Sequence, residues 1–368
     1  MLEPPEFDGA SAPPWFRTDE LGDEIAATVV YSNCAARTPR HAAMLLATTL
    51  APLALFLSPR VAPAPQRRAS IHMGSLPAGA KVLVSGGGPL MLLTAKIAAL
   101  RGFDVTAAVT PGDLELGPRL VEESAGVKYI QITGEGADGA AIDAKINEAQ
   151  GLLLAIDSEA SVPDSVIRVF VNPEAAPNLA HVGVMSRYLN GKGMGFIAST
   201  AKAAGNVDVW DGNGKAVAAY KQMEATVKER CAACGATWTI VRAGTLKGGA
   251  SGAVKLDGGS GCADYLEPAF YKMGNQDLAN WRMLYDIDAQ GVVLERGDRM
   301  AGPGFTAALT ATATEPGGGD SGRGGVANAL VESLRVAAAD NADFSIGGAK
   351  AAAPPTPADW AALYAGAK

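Results

Sequence analysis

Histidine and cysteine are scarce in this chain, three and four residues respectively among 368. There is no H-E-x-x-H motif and no pair of C-x-x-C motifs, so no metal site is expected. Cys34, Cys231, Cys234 and Cys262 are too few to staple a chain of this length, which excludes a disulfide scaffold. Basic charge is also in short supply. The net charge is −7 and the pI near 5.1, which argues against a general nucleic-acid surface. Long apolar runs are missing too. Ala42–Leu57 falls short of the ~20 apolar residues a membrane span needs, and Pro52 interrupts it. Membrane association is therefore expected only through residues 42–57, as part of a signal or a marginal anchor. No internal repeat is visible.

What is present is an α/β alternation in a chain that is 48% hydrophobic, ample for one large domain. It centres on Lys81–Val109. Lys81–Ser85 reads as a buried strand, Leu90–Leu100 as a helix closed by Gly102, and Asp104–Val109 as the next strand. Gly86, Gly87 and Gly88 form the turn between the first strand and the helix. A strand, a tight glycine turn and a helix N-terminus present free N–H groups to an anion such as a pyrophosphate. Leu90 and Met91 open the helix on the phosphate side. As G-x-G-x-x-G the motif is incomplete, because Met91 replaces the third glycine.

Downstream the alternation continues. Leu114–Ser124 reads as a helix broken at Gly117-Pro118, Val127–Thr133 as a strand, Asp138–Ala149 as a helix and Leu152–Asp157 as a strand. Val166–Val171 is apolar, with Pro173 and Pro177 ending any helix. His181–Ser186 reads as a strand, Ala216–Ala233 as a helix and Trp238–Val241 as a strand. The fold class expected is a doubly wound parallel sheet of Rossmann type, with an irregular C-terminal insertion. The insertion, residues 248–325, carries Tyr265, Phe270, Tyr271, Trp281 and Tyr285 and an apparent hairpin over Gly291–Thr312, and is expected to act as a lid. A helix over Val326–Ala338 follows it. Residues 349–368 read as an Ala/Pro-rich tail, loose over Ala351–Pro357. Residues 1–75 read as an extension: from Ile25 to Gly102 there are arginines but no acid, as in an organelle transit peptide.

The stretch Tyr220–Gly244 resembles the signature of atypical short-chain dehydrogenase/reductase proteins. Lys221, Glu224, Gly235, Thr239, Ile240, Val241, Arg242 and Gly244 stand at or near its positions, with Ala243 in place of the usual proline. Asp320-Ser321-Gly322-Arg323 before Val326-Ala327 resembles the family's late S-R-x-x-V-A helix start. The resemblance spans about residues 78–348, so an NAD(P)-binding domain is expected over 76–348. It implies NADP or NAD as cofactor, with NADP ahead, and a plastid location for a monomeric protein, with a dinucleotide and a plastid protein as partners. It also implies cofactor contacts from the glycine turn, from Ser186 and Lys221, and near Arg242 and Gly244.

In that family a Ser, a Tyr and a Lys carry the chemistry, the Tyr four residues before the Lys on one helix face. Ser186 and Lys221 match the Ser and the Lys, but Val217 occupies the Tyr position. Glu224 is expected to hold Lys221 as an ion pair. Tyr188 and Lys192 form a literal Y-x-x-x-K, which Gly191, Gly193 and Gly195 keep from being helical. At the second strand end, where NAD binders place an acid and NADP binders an arginine, the chain has Thr110, and Asp113 comes late. Thr110 is the candidate ribose or phosphate partner. Cys231 and Cys234, near a helix C-terminus, are read as packed small side chains rather than a redox pair. The functions expected are a dinucleotide-binding sensor or assembly factor or a weak reductase. The alternatives are an active reductase or isomerase of a small plastid metabolite, and a ligand-free scaffold.

Overall fold

The computed structural model describes residues 75–368 except 122, 158–159, 193–199, 201–209, 211, 213, 215, 248–250, 253–262, 265–289, 303–318 and 352. The extension and its apolar run at 42–57, and the insertion's aromatic cluster, lie outside the described residues. Among the described residues no helix is long and apolar enough to cross a membrane.

The first half follows the expected alternation. β1 (Lys81–Gly87) leads into α1 (Gly88–Leu100), β2 (Asp104–Val109), α2 (Pro111–Leu120), β3 (Lys128–Gln131), α3 (Gly139–Glu148), β4 (Gly151–Ile156), α4 (Asp164–Phe170) and β5 (His181–Arg187). Then come α5 (Ala216–Cys234), β6 (Thr237–Ala243), β7 (Thr245–Lys247), and the short pairs β8 (Ser251–Gly252) and β9 (Ala263–Asp264). The chain ends with β10 (Gly291–Arg296), β11 (Asp320–Gly322), α6 (Arg323–Ser333), β12 (Ala342–Ala349) and α7 (Pro357–Gly366). The main sheet has the order β10-β12-β6-β5-β4-β1-β2-β3. It is parallel throughout except at β10, which runs antiparallel to β12. The chain crosses from one half of the sheet to the other between β1 and β4, giving the 3-2-1-4-5-6 order of a Rossmann fold.

The strands at the centre are buried on both faces, so they are apolar runs rather than alternating ones. Val82, Val84, Leu153, Met185 and Val241 face one core layer, where α1 and α6 pack. Leu83, Leu154, Val182, Val184 and Ile240 face the other, beneath α4 and α5.

Three elements add to the sequence reading or depart from it. α2 begins at Pro111, not at Leu114, because Thr110 caps it: the Thr110 hydroxyl accepts the Asp113 N–H. The helix also runs through Gly117-Pro118, where the Tyr129 ring fills the space a Cβ at 117 would need. β10 pairs antiparallel with β12, while the second half of the hairpin expected over Gly291–Thr312 lies outside the described residues. From the end of the Ala/Pro-rich stretch Ala351–Pro357, the C-terminal tail forms a helix. Thr356 and Asp359 form a capping box, and α7 seats Trp360 and Tyr364, both fully buried, against the core. The Tyr364 hydroxyl donates to the Ala329 carbonyl at 2.6 Å, tying α7 to α6.

Candidate functional site

In open α/β sheets the ligand crevice lies beyond the carboxyl ends of the strands, where the strand order reverses. Here that point is the pair β1 and β4, and Gly86–Gly88 stand at its lip. The three glycines serve different ends. A Cβ on Gly86 would lie 1.7 Å from the Ala155 carbonyl oxygen, and its φ is +135°. Its requirement is the close pairing of β1 with β4, not approach to a ligand. Gly87 has open space, with nothing nearer its Cβ position than 3.9 Å. Gly88, at φ +74°, packs against Asp157 with a would-be Cβ contact of 3.2 Å. The side chains of Leu90 and Met91 are fully buried in the core, so neither can touch a ligand. Of their amides, that of Met91 closes the first helical turn on the Gly87 carbonyl, and that of Leu90 is left for one.

A carboxylate already occupies the turn. Asp113 Oδ1 accepts the Gly88 N–H at 3.0 Å. Asp113 Oδ2 accepts the Thr110 hydroxyl proton at 2.9 Å. Asp113 is only 8% exposed, and burial raises its pKa above the ordinary aspartate value, partly offset by the bonds from Thr110 and Gly88. Thr110, expected at the ribose or phosphate, is thus engaged by Asp113. Asp113 stands late in sequence, but the first turn of α2 carries its carboxylate back to the glycine turn. The T-x-x-D spacing of a capped helix start was the signal that could have found it. On the other side, Asp157 follows β4 and takes a two-pronged salt bridge from Arg323, at 2.8 and 3.1 Å. Arg323 is the first residue of α6, where the helix dipole disfavours a cation, and Asp157 compensates.

The side chains expected to do chemistry are not brought together. Ser186 is the last residue but one of β5, which runs one residue past the expected end, and it is fully buried, its hydroxyl without a hydrogen-bond partner among the described residues. Lys221 is exposed on α5, and no hydrogen bond joins it to Ser186 or Glu224. Its expected partner is taken elsewhere: Arg242 binds Glu224 Oε1 and Oε2 at 2.8 and 2.7 Å and also meets Asp343 at 2.6 Å. These neighbours raise the Arg242 pKa against the opposing effect of burial. Arg242 therefore joins β6 to α5 and β12 and does not reach out to a cofactor. Gly244 is likewise part of the fold. Its N–H donates to Ser321 Oγ at 2.9 Å, its carbonyl accepts from Arg187 at 2.6 Å, and a Cβ there would lie 1.9 Å from the Gly319 carbonyl oxygen. Ser321, in the late signature, in turn donates to the Ile346 carbonyl at 2.7 Å.

Tyr188 lies just past β5, not on a helix. Its hydroxyl donates to the same Ile346 carbonyl at 2.6 Å, and burial raises its pKa well above that of an ordinary tyrosine. It cannot exchange a proton with a substrate from there. Tyr220 is also buried, with its hydroxyl on the Ala160 carbonyl at 2.8 Å. The thiols of Cys231 and Cys234 are both raised by burial, with the Arg230 charge opposing the shift at Cys234. Neither is a thiolate at neutral pH.

One constellation has the connectivity of a hydrolytic triad. Ser333 Oγ lies 3.3 Å from His181 Nε2, and Asp340 Oδ1 lies 3.3 Å from His181 Nδ1. It sits at the amino end of β5, away from the crevice. Ser333 is buried and donates to the Leu330 carbonyl at 2.7 Å, so the arrangement braces α6 against the sheet.

No family model and no curated protein matches the chain. Among solved structures, a short-chain dehydrogenase/reductase from Veillonella parvula is similar over 73% of this chain and 94% of its own, at 14% identity and a TM-score of 0.41. The yeast methylglyoxal/isovaleraldehyde reductase Gre2, complexed with NADPH, is similar over 73% of this chain and 75% of its own, at 11% identity and a TM-score of 0.41. Likeness at this level says nothing of chemistry, which has to come from the chain's own side chains.

Proposed function

We propose that the chain binds a nicotinamide dinucleotide at the Gly86–Met91 turn and uses it as a ligand rather than as a hydride donor. The observation that carries this reading is the glycine turn at the β1–β4 crossover, opening on a helix N-terminus. Gly87 leaves room for close approach, and the amide of Leu90, in the first turn of α1, is a donor available to a phosphate. Asp113 lies past β2, on the side where a dinucleotide's adenosine ribose is expected. A buried carboxylate there repels a 2′-phosphate, so NAD is the form proposed and the expectation of NADP is set aside.

A bound nicotinamide supplies hydride chemistry, but proton transfer is left to the protein. Val217 has no proton to give, Tyr188 is locked on Ile346, and Lys221 stands apart from Ser186. This supports a sensor or assembly role over an active reductase or isomerase. The plastid location and removal of residues 1–75 remain part of the proposal on sequence composition, and N-terminal sequencing of the native protein tests them. Calorimetric titration with NAD, NADH, NADP and NADPH tests the binding. NAD or NADH should bind more tightly than their phosphorylated counterparts. Absence of binding at millimolar concentration, by the parent chain and by a folded Asp113→Ala variant alike, sinks the reading.

A ligand-free scaffold is the second reading. Pro89 contributes no N–H to the first turn of α1, and Asp113 takes that of Gly88. Both facts weaken the anion site.

A further inference from the structure

We propose that Asp113 is a built-in competitor at the glycine turn, an autoinhibitory contact that a dinucleotide phosphate must displace. The inference rests on the dinucleotide reading above. α1 carries no side-chain cap of its own and no acid in its first turn. A helix start of this kind leaves its first N–H groups unpaired and attracts an anion. The anion comes from the next helix: Asp113 reaches back across 25 residues to the Gly88 N–H at 3.0 Å. Its second oxygen is held by Thr110 at 2.9 Å, so the carboxylate is fixed, not swinging. The same residue thus satisfies the starts of both α1 and α2.

Donors at this helix start are few. Pro89 has none, and Asp113 consumes that of Gly88. A phosphate entering here gains the Gly88 amide only by exchange with the carboxylate, and until it does so the two negative groups repel each other. Asp157 lies on the opposite side of Gly88 but is paired with Arg323. Among the described residues no salt bridge joins Asp113 to a cation, so the charge beside the turn is its own.

The test is calorimetric titration of the full chain and its Asp113→Ala, Asp113→Asn and Thr110→Val variants with NAD, NADP and ADP, after far-UV circular dichroism confirms that each variant is folded. Asp113→Ala and Asp113→Asn should bind all three at least tenfold more tightly than the parent. Thr110→Val, which loosens the carboxylate without removing it, should show a smaller gain. If the parent binds NAD and Asp113→Ala binds it equally or more weakly, Asp113 is a ribose acceptor or a bystander. The competitor proposal then falls while the dinucleotide reading stands. If neither the parent nor any folded variant binds any of the three at millimolar concentration, the dinucleotide reading falls and the competitor proposal with it.

Discussion

Glu224 on α5 gives both carboxylate oxygens to Arg242 on β6, at 2.8 and 2.7 Å. Both side chains are more than nine-tenths buried, and Asp343 on β12 completes the set. Removing Glu224 takes away the two-pronged, buried half of the pairing and leaves Arg242 to the more exposed Asp343 alone. Glu224→Ala should therefore cost about 3–5 kcal/mol of folding stability. Lys221→Met, one turn away and exposed, should stay within about 0.5 kcal/mol. Urea unfolding of the two variants separates these outcomes. A Lys221→Met variant as unstable as Glu224→Ala would mean that Lys221 holds the helix after all.

The sequence made most of the sheet readable, but not the direction in which the side chains of the candidate site turn. β1, β2, β4, β5 and β6 are apolar runs bounded by turn residues, so their burial shows in one dimension. β12 does not: Ala342–Ala349 is dominated by small residues, and it is a strand because β6 and β10 flank it. Arg242 and Gly244 stand in a recognisable signature, but a signature does not say which way a side chain turns. Arg242 turns to Glu224, a partner 18 residues earlier, and no spacing rule on one helix predicts that.

The glycines of the turn should separate by position. Gly86→Ala drives a methyl group into the Ala155 carbonyl at a φ of +135°, and about 4 kcal/mol or more of stability should be lost, with or without ligand. Gly87→Ala meets nothing nearer than 3.9 Å and should cost about 1 kcal/mol or less. Thermal unfolding distinguishes the two, and equal losses would contradict the strand contact.

Stability should depend on pH through Asp113. Its folded pKa is raised, burial being the largest cause, so the folded chain holds this proton to higher pH than the unfolded chain does. The resulting stabilisation is complete below the unfolded value, about 3.9, and is lost as pH rises through the folded value. Asp113→Asn lacks this dependence. The stability difference, parent minus variant, should be most favourable to the parent at low pH and decline on raising it. Urea unfolding between about pH 3 and 8 reads it, and a difference that grows with pH would contradict the raised pKa.

The cysteines should be inert in the native chain. With both thiols raised by burial, iodoacetamide at neutral pH should leave Cys231 unlabelled until the protein is denatured. Cys234, half-buried, should react only slowly. Mass spectrometry of labelled peptides decides it, and rapid native labelling of Cys231 would revive a redox role.

The placement of β12 between β6 and β10 has a consequence for synthesis. β10 leaves the ribosome before β12, its neighbour among the described residues, exists, and β6 waits with one edge bare for the same strand. Until the last stretch emerges, two strand edges are open to pairing with other chains. A premature stop ahead of Ala342 would make that state permanent. The expected product is insoluble protein, and not a smaller working domain.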